Sequence, residues 1–316
     1  MIEKILIPLD GSPAAEAVLP RVTHLALAEG AAVELVTVLT PVAIWDAAAS
    51  MIKWDAEEAA ARRYIDGKRQ ELANRGISAH STVPVGEAAY AIFKTATDNN
   101  VDFIAMTTHG RSGVARWVLG SVTEKLLHTT APLLVVRPAD EGGVPLDPSQ
   151  VRKILVPLDG SELSQAALPH AEEMAKIFNA SLVLCNVVST DWIALSGMEA
   201  PVLYQDVLGD MNATAESNLE KAANESRGRG FNVDCFVGLG GPADEIHRIA
   251  AEHGAGLIVM STHGRSGPRR WVMGSVADAV VRGTHLPCLL VRPGHVKHAS
   301  TDKTEQSKQE TAVGPT

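Results

Sequence analysis

The sequence predicts an α/β protein made of two repeated, open, mostly parallel-sheet domains of five strands each, and three observations carry that prediction. The first is a repeat. KILIPLDGS from Lys4 is answered by KILVPLDGS from Lys153, MTTHGRSG from Met106 by MSTHGRSG from Met260, RWVLGSV from Arg116 by RWVMGSV from Arg270, and LLVVRP by CLLVRP. Motifs that recur in one order mean two copies of one fold. The second is the alternation, within each copy, of short apolar runs with helix-length stretches, which is the pattern of βαβ units with right-handed crossovers. The third is length: 316 residues, at about 150 per domain, hold two domains with one core each.

The elements of the first half follow in order. Ile2 to Leu9 is a nearly continuous apolar run suited to a strand buried on both faces. Ser12-Pro13 is an N-cap followed by proline at the first helical position, and a helix to about Ala28 is expected. Next come a strand from Ala32 to Leu39, a long loop, a helix from about Asp55 to Arg75-Gly76, and a strand from Ile77 to Val83. A short helix over Glu87 to Thr97, a strand at Val101 to Met106, a glycine-rich loop, a helix opening near Gly120-Ser121 and a last strand, Leu133 to Arg137, close the half. The expected divisions are a first domain over 1–139, a linker over 140–150 that is rich in Gly, Pro and acid, a second domain over 151–294, and a disordered tail over 295–316. The last strands, Leu133 to Arg137 and Leu289 to Arg292, are apolar edges that would be prone to aggregate if left unpaired, so the halves are expected to pack through them as an internal pseudo-dimer.

Composition narrows the function classes. With 46% hydrophobic and 21% charged residues the chain is globular rather than disordered, save at its ends. No uncharged apolar run reaches the roughly 18 residues of a membrane span. The opening MIEKILIPLDGS breaks any signal-peptide core with charge, so a cytoplasmic protein with no membrane association is expected. A net charge of −9 supplies no basic field for phosphate backbones, and nucleic-acid binding is not expected. The three cysteines, Cys185, Cys235 and Cys288, each lie in an apolar β-like run and are expected as buried, reduced thiols.

In an open parallel sheet the ligand sits beyond the carboxyl ends of the strands, where the strand order reverses. The repeated motifs fall at such ends: Pro8-Leu9-Asp10-Gly11-Ser12 after the first strand and Thr107 to Gly113 after the fourth. If those strands are neighbours, the two loops face each other across a pocket. Gly110 and Gly113 let backbone N–H groups approach an anion, and Gly120-Ser121-Val122 would present the free N–H groups of a helix start. Arg111 and Arg116 add charge from the loop or are simply solvated. Three or four contacts to a phosphate chain, each worth about 1.5–3 kcal/mol, would support micromolar binding.

The pattern G-x9-G-S, from Gly110 to Gly120-Ser121 and from Gly264 to Gly274-Ser275, together with the strand-terminal P-L-D-G-S and the closing apolar strand, strongly resembles the universal stress protein family, here as a tandem. The resemblance spans Ile2 to Pro138 and Val151 to Pro293. It implies a Rossmann-like, HUP-type fold and association through the last strands, within the chain and as a homodimer. Members that bind ATP share G-x2-G-x9-G-[ST]. The resemblance thus implies a stress-response sensor or regulatory module whose ligand is ATP, AMP or ADP, with Mg only alongside the nucleotide. Carried over position by position, Asp10 and Val38 flank adenine and ribose beside Met106 and Thr107, while Gly110, Gly120, Ser121 and Val122 hold phosphates. Pro8, Gly11, Ser12, Arg111 and Gly113 complete the first candidate site. In the second half the set is Pro157, Asp159, Gly160, Ser161, Val187, Met260, Ser261, Gly264, Arg265, Gly267, Gly274, Ser275 and Val276. The chain departs from the family pattern at its first glycine, which is Thr107 in one half and Ser261 in the other. Ser261 is the smaller, and its loop carries more arginines, so the second site is expected to bind more tightly.

Other readings of the same residues stay open. Asp10 and Asp159 also suit a capped turn after a strand. His109 and His263 fit general bases or simple loop anchors, and Trp117 and Trp271 fit core packing better than base stacking. His170 with Glu173 is a ligand pair lacking further partners. The motifs G-x-x-x-x-G-K-[ST] and G-x-S-x-G do not occur, which leaves no signature for a P-loop NTPase or a serine hydrolase. Beside the nucleotide-binding module stand a nucleotide-free interaction scaffold of the same fold and a slow ATPase.

Overall fold

The computed structural model describes residues 2–41, 47–108, 120–127, 131–138, 142–143, 146, 150–190, 201–264 and 273–293. Its first half runs β1 (Lys4–Pro8), α1 (Pro13–Glu16), α2 (Leu19–Glu29), β2 (Ala32–Val36), α3 (Ala47–Ala73), β3 (Ala79–Thr82), α4 (Ala88–Asp98), β4 (Phe103–Thr107), α5 (Ser121–Leu126) and β5 (Leu133–Val136). The second half repeats it as β6 (Lys153–Pro157), α6 (Glu162–Gln165), α7 (Leu168–Phe178), β7 (Ser181–Val188), α8 (Pro201–Gly228), β8 (Val233–Leu239), α9 (Pro242–Glu252), β9 (Leu257–Ser261), α10 (Ser275–Gly283) and β10 (Cys288–Val291).

The ten strands form one sheet in the order β3-β2-β1-β4-β5-β10-β9-β6-β7-β8. Within each half every pair is parallel, and the first and fourth strands of a half are neighbours, Ile5 beside Phe103 and Ile154 beside Leu257. The halves meet at their last strands. β5 and β10 pair antiparallel, with Cys288 opposite Val135, Leu289 opposite Leu134 and Leu290 opposite Leu133. Those six side chains are all at most 2% exposed, and a fully buried aliphatic chain is worth about 1.5–3 kcal/mol, so the seam fuses the cores of the two halves, with Leu134 and Leu289 in one layer and the other four in the second. Alternate residues of each strand feed two core layers. Ile5 and Ile7 belong to the layer that α2, α3, α7 and α8 cover on one face, and Leu6 to the layer that α4, α5, α9 and α10 cover on the other.

The single helix expected from Ser12 to Ala28 is two helices. Ser12 caps the first by accepting from the Ala15 N–H. Pro20 then sits in the first turn of α2, where its missing N–H is harmless, although inside one continuous helix it would leave an unpaired carbonyl and clash. Pro169 makes the same break between α6 and α7. The second strand was expected to reach Leu39 but ends at Val36, with an isolated bridge between Leu39 and Val85 beyond it. The third helix begins at Ala47 rather than near Asp55.

Within the stretch read as a linker, Leu146 is buried at 1% exposure and joins the core, and the Gly143 N–H donates to Pro138 O. The tail, 295–316, lies outside the described residues. Cys185 and Cys288 are buried, but Cys235 is only half-buried because β8 is an edge strand with one neighbour. Among the described residues no helix is long and apolar enough to cross a membrane.

Candidate functional site

Each half has a cleft beyond the carboxyl ends of its first and fourth strands, on the sheet face that carries α4 and α5 or α9 and α10. The first is lined by Pro8, Leu9, Asp10, Ala15, Val36, Val38, Ala88, Ile92, Met106, Thr107, Gly120, Ser121, Val122 and Thr123, with a cavity of ≈ 290 Å³. The second is lined by Pro157, Leu158, Asp159, Ser164, Cys185, Val187, Pro242, Ile246, Met260, Ser261, Thr262, His263, Gly264, Gly274, Ser275, Val276 and Ala277, with a cavity of ≈ 160 Å³. The expectation that the P-L-D-G-S turn, the fourth strand's end and the glycine-serine helix start converge thus describes both clefts. Gly110, Arg111, Gly113, Arg265 and Gly267 lie outside the described residues, as do His109, Arg116, Trp117 and Trp271.

The two aspartates sit in identical turns. Asp10 Oδ1 accepts from the Ser12 N–H at 2.9 Å and from its hydroxyl at 2.6 Å. Asp159 Oδ1 accepts from Ser161 at the same two distances. Gly11 and Gly160, both at φ +83, supply the left-handed residue that lets the chain reverse between them. Gly11, Ser12, Gly160 and Ser161 therefore shape the turn and cap α1 and α6 without lining a cleft. One oxygen of each aspartate is thus a turn acceptor. The other oxygen of Asp159 faces the glycine loop so closely that a Cβ on Gly264 would run into Asp159 Oδ2.

The helix starts are partly engaged. The Gly120 N–H donates to Thr108 O at 2.9 Å and the Gly274 N–H to Thr262 O at 2.8 Å, so these two glycines tie the helix to the strand end instead of offering a donor. The first intrahelical bonds run from Glu124 to Gly120 O and from Asp278 to Gly274 O. Ser121, Val122 and Thr123, and Ser275, Val276 and Ala277, whose amides are the donors of a helix N-terminus, line the clefts. A Cβ on Gly274 would lie 3.1 Å from Thr262 O, tight enough that glycine is the fitting residue there.

At the position of the missing family glycine, Thr107 and Ser261 are buried at 3% and 7% exposure. The Ser261 hydroxyl donates to His263 O at 2.8 Å, and Thr262 Oγ1 meets His263 Nδ1 at 2.9 Å. Ser261 thus braces its own loop, and His263 is held as a loop anchor. Burial pushes the Cys185 thiol up to about 12, which makes it a neutral wall of the second cleft where Val36 stands in the first. Among the described residues no group of three or more His, Cys, Asp or Glu side chains is arranged to hold a metal ion.

Several lining residues escaped the motif reading: Ala15 and Ser164, Ala88 and Pro242, Ile92 and Ile246. The signal for Ile92 was the apolar spacing of Ala88 and Ile92 along one face of α4. Tyr64 was missed altogether. Its hydroxyl donates to Glu16 Oε1 at 2.9 Å, and Lys68 Nζ lies 2.9 Å from Glu16 Oε2, so α3 is pinned behind the Asp10 turn. Burial, then the Glu16 carboxylate and the Asp10 charge, push the Tyr64 phenol far above its usual range.

The sequence profile of the universal stress protein family matches residues 1–137 and 150–292. Universal stress protein MJ0531 of Methanocaldococcus jannaschii is 34% identical over 142 residues, covering 45% of this chain and 82% of that protein. Universal stress protein Rv2005c of Mycobacterium tuberculosis is 27% identical over 197 residues, covering 61% of this chain and 63% of that protein. A universal stress protein of Archaeoglobus fulgidus has a similar crystal structure, with a TM-score of 0.69 at 22% identity over 92% of this chain and 96% of that one.

Proposed function

The chain belongs to the universal stress protein family as a tandem of two domains, and from that footing we propose that it is an adenine-nucleotide-binding regulatory module in the stress response rather than a robust catalyst. The observation that carries this reading is the repeated convergence, in both halves, of an aspartate turn, a strand end and a glycine-started helix on one cavity. Apolar walls such as Val38, Ile92 and Met106 suit a flat base, and Asp10 or Asp159 suits the ribose hydroxyls. The amides of Ser121 to Thr123 and of Ser275 to Ala277 suit a phosphate chain. The tight space around Gly264 and Gly274, against Asp159 and the Thr262 carbonyl, holds the loop and the helix start close to the cleft. ATP, ADP or AMP fits this donor set, with Mg carried on the phosphates, and the nucleotide's occupancy then sets which partner the protein engages. The aspartates are held in turns, each with one oxygen already accepting from a serine, which suits contact with a ribose.

A nucleotide-free scaffold is favoured by one observation: at the missing glycine the second cleft carries a serine whose hydroxyl already braces the loop. Mass spectrometry of small molecules released on denaturing the purified protein separates the two. Adenine nucleotide at up to two per chain supports the proposal. Empty clefts, with no heat on titrating millimolar Mg-ATP, select the scaffold.

A further inference from the structure

Helix α10 touches both halves of the chain. Its first residues, Ser275, Val276 and Ala277, line the second cleft. Its last carbonyls accept hydrogen bonds from Arg137 of the first half, whose Nη2 donates to Arg282 O and, at 3.4 Å, to Val281 O. His247 on α9 adds a contact to Val280 O at 3.1 Å. The carboxyl end of a helix carries partial negative charge and unmet acceptors, which a guanidinium both neutralises and bonds.

Arg137 is also bound to the first cleft. It directly follows β5, whose last residue, Val136, stands in register with the cleft residue Thr107. The Thr108 N–H donates to Val136 O at 3.1 Å, and the Gly120 N–H donates to Thr108 O at 2.9 Å. Direct bonds therefore lead from the glycine-serine start of α5, through the ends of β4 and β5, to the Arg137 side chain. From there they continue along α10 to the glycine-serine start at the second cleft.

We propose that Arg137 is a positioning residue that couples the two clefts, so that a ligand ordering α10 from its first turn strengthens binding in the other half. The inference rests on the reading of the clefts as nucleotide sites. A nine-residue helix moves nearly as a rod, and a first ligand that orders a shared element lowers the ordering cost left for the second.

The test uses the full chain with Mg-ATP as probe in calorimetry. First-cleft affinity is measured with the second cleft intact and with it disabled by Gly274→Val, in wild type, Arg137→Met and Arg137→Lys. In wild type, disabling the second cleft should weaken the first by about fivefold. In Arg137→Met that difference should vanish, and Arg137→Lys, which keeps the charge, should recover part of it. An equal loss in wild type and Arg137→Met, or none in wild type, overturns the proposal. A wild type that takes up no Mg-ATP defeats the nucleotide reading instead, and amide exchange then judges the link itself. Arg137→Met should speed exchange by about tenfold along α10 up to its first turn, whereas unchanged exchange, or a change confined to its last turn, overturns it.

Discussion

The two halves share a sheet order and a motif set, yet they brace their long crossover helices at different points, in the first at Tyr64 and Lys68 and in the second at the very end of the helix. In the first, α3 is tied beside the cleft, where Tyr64 and Lys68 both hold Glu16 at the end of α1. In the second, Gln165 occupies the place of Glu16, and α8 is tied far from the cleft. There Arg229 lies 2.6 Å from Glu172 on α7, and the buried Ser226 hydroxyl donates to the same carboxylate at 2.6 Å. Thr23 stands where Glu172 stands and merely donates back to Leu19 O within its own helix. Duplication has kept what shapes the cleft floor and has let the scaffolding behind it diverge. The first cleft therefore has its aspartate turn backed by α3.

Four substitutions sharpen or break that contrast. The largest effect is expected from Arg229→Met, which leaves the Glu172 carboxylate, 10% exposed, without its cation. Stranding a buried charge costs about 3 kcal/mol, and chemical denaturation should show the loss in the second half, with the nucleotide affinity of the first half unmoved. Gly264→Ala should come next. Its Cβ displaces Asp159 Oδ2, so second-cleft affinity for Mg-ATP should fall by at least about tenfold, or 1.4 kcal/mol.

Tyr64→Phe removes one hydrogen bond to Glu16 and should cost about 1 kcal/mol of stability. If α3 does back the Asp10 turn, first-cleft affinity should drop as well, and calorimetry with the second cleft disabled would read it. Equal affinities in Tyr64→Phe and the parent would mean that the brace is only structural. The smallest effect belongs to Glu87, which caps α4 by accepting from the Tyr90 N–H at 2.8 Å, whereas Gly241 at the start of α9 has no side chain to do so. Lys125, and then the Tyr90 amide, hold the Glu87 carboxyl below the usual carboxylate range. A depressed folded value means that the stabilisation is full at neutral pH and is lost as pH falls through that range. Glu87→Ala should thus cost about 0.5 kcal/mol at neutral pH, and the gap between variant and parent should narrow on acidification. A gap that holds constant with pH would remove the carboxylate from the account.

The motif residues were legible in the sequence because the repeat marks them twice, and because glycine and aspartate at strand ends have few structural uses. Pairing of the last strands was legible for a related reason, since an apolar strand at a sheet edge needs a cover. The break before α2 was also written there, as Leu19-Pro20 and again as Leu168-Pro169, but the periodicity of the flanking apolar residues masks it. Contacts made across the fold were not legible. Nothing local to Tyr64, Leu146 or Arg137 says that they reach Glu16, the core and the end of α10, because those partners are set by how layers pack. The engagement of the Gly120 and Gly274 amides belongs to the same class, since the acceptors, Thr108 and Thr262, are brought there by the sheet.

The antiparallel seam between β5 and β10 has a consequence for traffic at the clefts. Every strand of one half runs against every strand of the other, so the carboxyl ends of the two halves point in opposite directions. Both clefts lie on the same side of the sheet but open at opposite rims of the slab, about one strand length apart, or some 16 Å at about 3.3 Å per residue. A molecule docked over one mouth leaves the other uncovered. The two mouths thus face away from each other, a geometry that the covalent link keeps intact at any dilution.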